Sequence, residues 1–296
     1  MAVNIATIAA RERFGRDLKG VRVATLLDGE PVGQRQVADA LGHKHHDRYS
    51  RIERGATWPN AQEWDVICSF LGMDEATRAR LSKKRKDGMA NSKAWWTAFQ
   101  GEFPASLFEF ISYEDYADRV TTCAGSLVPG LLQTPDYGRA VTGRLSRRTL
   151  SEEMVERSLA LRANRRRILE RPDPPMVEAV IGEAALHQRV GGANVMVGQL
   201  DSLTEDIRQR NVIVRVIPFS APAPLTYLFH LFEFNGTSED PIAAYDGVTG
   251  MSFEKGAKEV RGIRSLLDSA KELALSSQDT LELIQTLRKE MARDQD

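Results

Sequence analysis

The sequence predicts an α+β protein that is mostly helical. An all-α N-terminal domain spans residues 1–88, and a mixed α+β domain with a small sheet spans 89–296. Three observations predict this. Residues 11–88 contain short segments of helical periodicity separated by Gly and Pro stops. Residues 176–254 contain short runs rich in Val, Ile, Phe and Tyr, interrupted by one long amphipathic segment. The charge also divides: residues 1–90 carry 16 Lys/Arg against 12 Asp/Glu, a net of +4, while the remainder carries 24 against 29, a net of −5. A basic module attached to a larger acidic part suits a polyanion partner for the former.

Composition sets the outer bounds. A chain of 296 residues with 42% apolar and 27% charged residues is ordinary for a soluble globular protein. No apolar run approaches the ~18 residues of a membrane span, and "MAVNIATIAARERFG" lacks the basic-then-apolar plan of a signal peptide. Cys68 and Cys123 lie in apolar surroundings without a CxxC spacing, so both are expected as reduced, buried thiols. The expectation is a cytoplasmic protein with no membrane partner.

In the N-terminal domain, "RERFGRDLKGVRVATLL" places Phe14, Leu18, Val21 and Leu26 near one helical face, and the turn "DGEPVG" follows at 28–33. "QRQVADALG" carries Val37, Ala38 and Leu41, with Gly42 as its stop. "HDRYSRIERG" has Tyr49 and Ile52 as its apolar pair and ends at Gly55. "NAQEWDVICSFLG" opens on a capping box of Asn60 and Glu63 and carries Trp64, Ile67, Phe70 and Leu71 inward. "DEATRARLSKKRKD" closes the unit as a fifth helix.

The second and third of these helices are short and joined by a tight turn. Crossing near the perpendicular, they need a small residue where their backbones approach, and Ala38 meets that need. Leu41 and Ile52 complete the core between them, leaving Asp47, Arg48 and Arg51 outside. This is a helix-turn-helix arrangement, whose second helix enters the major groove. "QRQVADALG…YSRIERGATWP" resembles the XRE, or lambda-repressor-like, family, whose usual run is T-Q-x-x-L-A-x-x-L-G followed by x-S-x-I-E-x-G. The turn after Gly42 is one residue longer than in that pattern. The resemblance implies that His46, Asp47 and Arg51 face base edges, that Arg48 lies at the groove edge, and that Gln34 touches phosphate. On chemistry, arginine can fork onto guanine O6 and N7, and Asp47 can accept from cytosine N4 or cap its helix. Lys44, Arg54 and the "KKRK" run at 83–86 are candidates for phosphate contacts, the run being equally readable as a solvated helix end. Glu53 is expected to pair with an arginine.

His43, His45 and His46 crowd into four positions and suggest a metal site. A zinc site, however, needs three or four converging ligands, and these three lie in a turn, not at i, i+4 on one helix. HExxH is absent from the sequence. They are expected as polar turn residues whose partial protonation favours DNA. No metal ligand, cofactor or catalytic residue is assigned.

The second domain reads in order as an aromatic-rich entry ("KAWWTAF"), a helix ("LFEFISYEDYADRV"), a strand ("VTTCAG") and a loop ("SLVPGLLQTPDYGRAVTGR") leading into a helix. A long helix runs from Ser151 to about Arg171. Its "RANRRR" is read as a solvated face in preference to a basic partner surface, and "PDPP" ends it. "MVEAVIGEAAL", "GANVMVGQLDSLTEDIRQR" and "VIVRVIPF" read as strand, helix and strand in a parallel crossover. "YLFHLFEF", "IAAYDG" and "GMSFEK" follow as hairpin-like strands, and two helices end the chain, for a sheet of four or five strands. Pro129 and Gly130 are read as shaping a turn. Glu183 and His187 stand at i, i+4, a spacing that suits a local contact better than a metal. Trp95, Trp96, Phe99, Phe103 and Phe108 are expected mostly in the core.

"LVPGLLQTPDY", "GEAALHQRVGG", "VMVGQLDSL", "VIVRVIPF", "FHLFEF" and "LALSSQDTLELI", with the preceding domain, resemble the actinobacterial WhiJ-like regulators. "SAPAPLTYLFH" departs from that pattern, which usually has glycines there. The resemblance implies a sequence-specific transcriptional regulator of development or secondary metabolism, antitoxin-like, often encoded beside a small acidic protein. On this reading the partners are double-stranded DNA, a second copy of the chain, and a small acidic protein or small-molecule effector received by the second domain. The alternative is a helix-turn-helix protein serving mainly as a protein-interaction module without DNA specificity. An enzyme is disfavoured, because no catalytic constellation stands out.

Overall fold

The computed structural model describes residues 5–42, 47–90, 95–146, 151–171, 173–223, 228–234, 241–247 and 250–293. Packing divides the chain into two units, one running to Ala98 and the other beginning at Phe99. The division expected at 88/89 falls inside the last helix of the first unit.

Among the described residues that unit holds five α-helices: α1 (Ile5–Ala24), α2 (Gln34–Ala40), α3 (Asp47–Glu53), α4 (Ala61–Phe70) and α5 (Glu75–Ala90). The first helix ends at Ala24, short of the expected Leu27. Asp28 and Gly29 both take positive φ, 54° and 85°, the geometry of a two-residue hairpin turn that the pair Asp-Gly favours. Two short strands, β1 (Leu26–Leu27) and β2 (Glu30–Pro31), therefore pair where helix and turn were expected. Phe14, Leu18, Val37, Tyr49, Ile52 and Ile67 are almost wholly buried and form the centre of the core. The Phe14 ring lies 5.2 Å from that of Trp58 and 5.4 Å from that of Trp64. The Asn60–Glu63 capping box opens α4 as expected: Asn60 Oδ1 accepts from the Glu63 amide at 2.8 Å, and Glu63 Oε2 accepts from the Asn60 amide at 2.7 Å.

The second unit contains α6 (Ala105–Tyr116), β3 (Arg119–Ala124), α7 (Pro135–Ser146), α8 (Glu152–Arg166), β4 (Met176–Gly182), α9 (Ala184–His187) and α10 (Ala193–Arg208). It continues through β5 (Val212–Ile217), β6 (Phe229–Glu233), β7 (Ile242–Gly247), β8 (Gly250–Glu254), α11 (Ala257–Leu273) and α12 (Ser277–Arg293). Among the described residues its sheet has six strands, not four or five, in the order β5-β4-β3-β6-β7-β8. The half made by β5, β4 and β3 is parallel, as the strand–helix–strand pattern predicts, and β3-β6-β7-β8 is antiparallel. β3 and β4 are buried along nearly their whole length, as expected where helices cover both faces of a parallel segment. Val260, Ile263, Leu267 and Ala270 of α11 pack on Cys123, Val180, Leu231 and Ala243 of the sheet. The end of β5 is tied to α12, where the Thr280 hydroxyl accepts from the Val216 amide at 3.1 Å. Trp96, Phe99 and Phe108 are buried, in keeping with core use. Cys68 and Cys123 are free and buried; burial pushes the Cys123 thiol up to about 12.

The arginines of α8 are not a solvated face. Arg165 forks onto Glu114 at 2.7 and 2.8 Å, and Arg166 reaches Asp206 at 2.7 Å. The acids come from 51 and 40 residues away in the chain, so local spacing gave no sign of them. The Pro129–Gly130 segment does form a turn against the core: Leu131 and Leu132 are buried. The wholly buried Gln199 of α10 stitches it down, accepting from the Thr134 amide at 2.8 Å and donating to the Leu132 carbonyl at 2.9 Å.

Candidate nucleic-acid interface

The helix-turn-helix is built around α2 and α3. Val37 and Ala38 of α2 and Tyr49 and Ile52 of α3 are buried, with Leu41 partly so. Gly42, at φ 73°, ends α2 in the left-handed conformation that spares a side chain. Gly15 of α1 permits the close approach of α3: a Cβ there would stand 2.6 Å from the Ile52 carbonyl oxygen and closer still to that of Glu53.

A buried network then holds α3 against α1. Arg22 Nε donates to Glu53 Oε1 at 2.6 Å, and its Nη1 donates to the Val32 carbonyl at 2.6 Å. Glu53 thus has the arginine partner expected for it, and that partner lies 31 residues away. The bond with Glu53 raises Arg22 above its ordinary value.

The structure places the sequence-predicted residues unevenly. Asp47 and Arg51 of α3, and Arg54 just past its end, are exposed at spacings of four and three and so share one side. The Arg51 side chain has no hydrogen-bond or ion-pair partner among the described residues, and that of Arg54 makes one long contact, from Nε to the Ser50 carbonyl at 3.4 Å. Arg48, expected at the groove edge, is engaged inside the unit. Its Nε and Nη2 fork onto Glu63 at 2.7 Å each, Nη1 donates to Thr57 at 3.1 Å, and Nη2 also reaches the Trp58 carbonyl at 3.2 Å. Held this way, Arg48 staples α3 to the start of α4, and its pKa is raised by the bond to Glu63. Gln34 is likewise engaged, its Nε2 donating to Glu53 Oε2 at 2.5 Å. Lys44 and His46, with His43 and His45, lie outside the described residues.

The basic run at 83–86 splits in two. Lys84 pairs with the buried Asp17 at 2.9 Å, and Arg85 Nε donates to the Pro59 carbonyl at 3.0 Å; Lys83 and Lys86 are exposed. Sequence reasoning passed over Arg35. It is exposed beside Gln34 in the first turn of α2 and has no partner among the described residues. Its place next to an expected phosphate contact was the available signal.

A family model for a helix-turn-helix domain matches residues 13–81, from α1 into α5. A second, described as a domain of unknown function (DUF5753), matches residues 107–286. The chain belongs to the DUF5753 family. Its N-terminal unit is a helix-turn-helix of the DNA-binding kind, joined to a DUF5753 domain. No curated protein and no solved structure matches the chain. In the DUF5753 domain, Glu183 and His187 make the local contact their spacing suggests: His187 Nε2 lies 3.0 Å from Glu183 Oε1, while Glu183 Oε2 accepts from the Phe219 amide at 2.6 Å. Among the described residues no helix is long and apolar enough to cross a membrane, and no group of three or more His, Cys, Asp or Glu could hold a metal ion.

Proposed function

We propose that the chain is a sequence-specific DNA-binding transcriptional regulator of the WhiJ-like, actinobacterial, XRE kind, acting in the cytoplasm on development or secondary metabolism. The observation that carries this reading is the exposed face of α3. Its Asp47 and Arg51, with Arg54 just past its end, are exposed on a helix fastened on two sides, by Glu53–Arg22 and by Arg48–Glu63. A helix so fixed presents a rigid pattern of donors and acceptors, and rigidity is what base readout needs. Arg51 is assigned to guanine, Asp47 and His46 to neighbouring base edges, and Arg54, Arg35 and Lys44 to phosphates. Arg48 and Gln34 act by positioning the two helices, through contacts they keep inside the domain.

A single helix-turn-helix reads one half-site, so the regulator acts as a homodimer on a two-fold operator. The DUF5753 domain receives the controlling input, a small acidic protein or a small molecule. The reading is tested by selecting random duplex DNA with the full chain, with and without EDTA, and repeating the selection with Arg51→Ala. A palindromic motif insensitive to EDTA, with specificity relaxed at one base pair in the variant, is the expected result. Recovery of no motif would leave the alternative, an antitoxin-like protein-interaction module. A motif that requires metal would overturn the assignment of the histidine-bearing turn.

A further inference from the structure

A cavity of about 390 Å³ opens in the DUF5753 domain, between α6, α8, the Pro129–Gly130 turn and the antiparallel half of the sheet. Its walls combine apolar side chains, among them Phe110, Leu127 and Val141, with Thr122, His230 and two arginines of α8. The volume is in the range of small-molecule sites.

The charges inside are unequal. Arg157, Arg165 and Arg166 of α8 each fork or donate onto a carboxylate, respectively Glu102, Glu114 and Asp206. Arg162 does not. Its Nη1 donates to the neutral Gln133 Oε1 at 2.7 Å, and among the described residues no carboxylate lies within hydrogen-bond distance of it. Its guanidinium also crowds that of Arg165: a Cβ on Gly130 would find Arg162 Nη1 at 3.7 Å and the two terminal nitrogens of Arg165 at 3.6 and 3.8 Å. Burial and Arg165 together pull Arg162 down to about 10, as expected of a cation short of compensation; it nonetheless stays charged near neutral pH. His230, whose Nδ1 lies 2.9 Å from the Thr122 hydroxyl, is held down to about 3 by burial and so adds no charge there. Glu114 cancels Arg165. Asp246, exposed at the rim, acts on both arginines from beyond hydrogen-bond distance, so Arg162 is the cation at this cavity that no carboxylate touches among the described residues.

We propose that this cavity binds a small organic monocarboxylate with an apolar body, the carboxylate on the remaining donors of Arg162 and the body against Phe110, Leu127 and Val141. A guanidinium and a carboxylate match as two parallel hydrogen bonds. A dianionic phosphate fits less well, since it would overcompensate a single positive charge and face Asp246 at the rim. The proposal rests on reading the DUF5753 domain as the receiver of an input, and it identifies that input by chemical class.

The test uses the full chain and calorimetric titration with three matched probes: hexanoate, 1-hexanol and hexyl phosphate. Hexanoate is expected to bind at least about tenfold more tightly than the alcohol, and more tightly than the phosphate. Arg162→Gln should abolish the preference over the alcohol. Asp246→Asn should strengthen hexanoate binding and leave 1-hexanol unchanged. Equal binding of acid and alcohol, a preference for the phosphate, or no hexanoate binding would each overturn the assignment. Should Arg162→Gln fail to fold, the exposed Asp246→Asn decides, and an unmoved hexanoate affinity counts against the site. DNA affinity measured with and without hexanoate separates the two claims: tight binding with no effect on DNA keeps the site and removes its regulatory role.

Discussion

Arg48→Ala separates a positioning arginine from a DNA-contacting one. The substitution removes two charge-assisted bonds to Glu63 and the bonds to Thr57 and the Trp58 carbonyl. The side chains are 30% and 11% exposed, so the pair is screened less than a surface ion pair, worth at most about 1 kcal/mol. It falls short of a fully buried one, whose rupture costs about 3–5 kcal/mol. Glu63 also keeps the Asn60 amide as a partner after the change. The expected loss is about 2 kcal/mol of N-terminal stability. Trp58 and Trp64 pack around Phe14 in the core of that unit, so urea unfolding followed by tryptophan fluorescence reports on it. A cycle with Glu63→Gln should return a coupling energy above about 1 kcal/mol. DNA binding by the folded variant should keep its dependence on salt. If stability were unchanged and the slope of log affinity against log salt fell by about one, Arg48 would be on a phosphate and the staple would be wrong.

Three further outcomes are expected. Gly15→Ala puts a methyl group into the α3 backbone at Ile52 and Glu53 and should cost about 1–3 kcal/mol or more, read by the same unfolding curve; a neutral effect would mean that α1 and α3 separate freely. Lys83→Gln with Lys86→Gln should leave stability within about 0.5 kcal/mol, because both side chains are exposed; an unchanged salt slope would remove these lysines from the DNA contact, while Lys84→Gln should lower stability through Asp17. His230 is held down to about 3 in the folded state against about 6.5 unfolded. Between those values the unfolded chain binds the extra proton, so stability falls as pH falls, by about 1.4 kcal/mol per pH unit for this one group, and is unaffected above about 7. Circular dichroism melts of the wild type and His230→Gln at pH 5 and 7.5 should differ by that slope, and equal slopes would place His230 in solvent.

Local chemistry made the helix-turn-helix readable. Gly42 and Gly55, the Asn60–Glu63 capping box and the small Ala38 each act within a few residues of the chain, and each sits where its own stereochemistry requires. The Asp28-Gly29 hairpin was equally local, and it escaped notice because its flanking strands are only two residues long. The staple made by Arg48 was hidden for a different reason. Nothing within a helical turn of Arg48 distinguishes it from Arg51. Only the fold reveals that Glu63, 15 residues on, lies opposite one and not the other.

The same reasoning explains why the cavity of the DUF5753 domain could not be read from "RANRRR". An arginine run records how many cations are present, and their partners are contributed by distant elements. Once Glu114 and Asp206 have claimed Arg165 and Arg166, what matters chemically is the cation left over. Burial is costly for an ion without a counter-charge, and Arg162 bears that cost beside a second guanidinium, at the wall of a cavity of ligand size. A purely structural arginine at this position would be replaceable by glutamine or leucine with a gain in stability. A ligand-binding one would show the same gain in the free protein and lose it when hexanoate is present. Comparing wild type and Arg162→Gln melts across hexanoate concentrations therefore asks what the charge is for: curves that cross identify a ligand site, and parallel curves identify a fossil of packing.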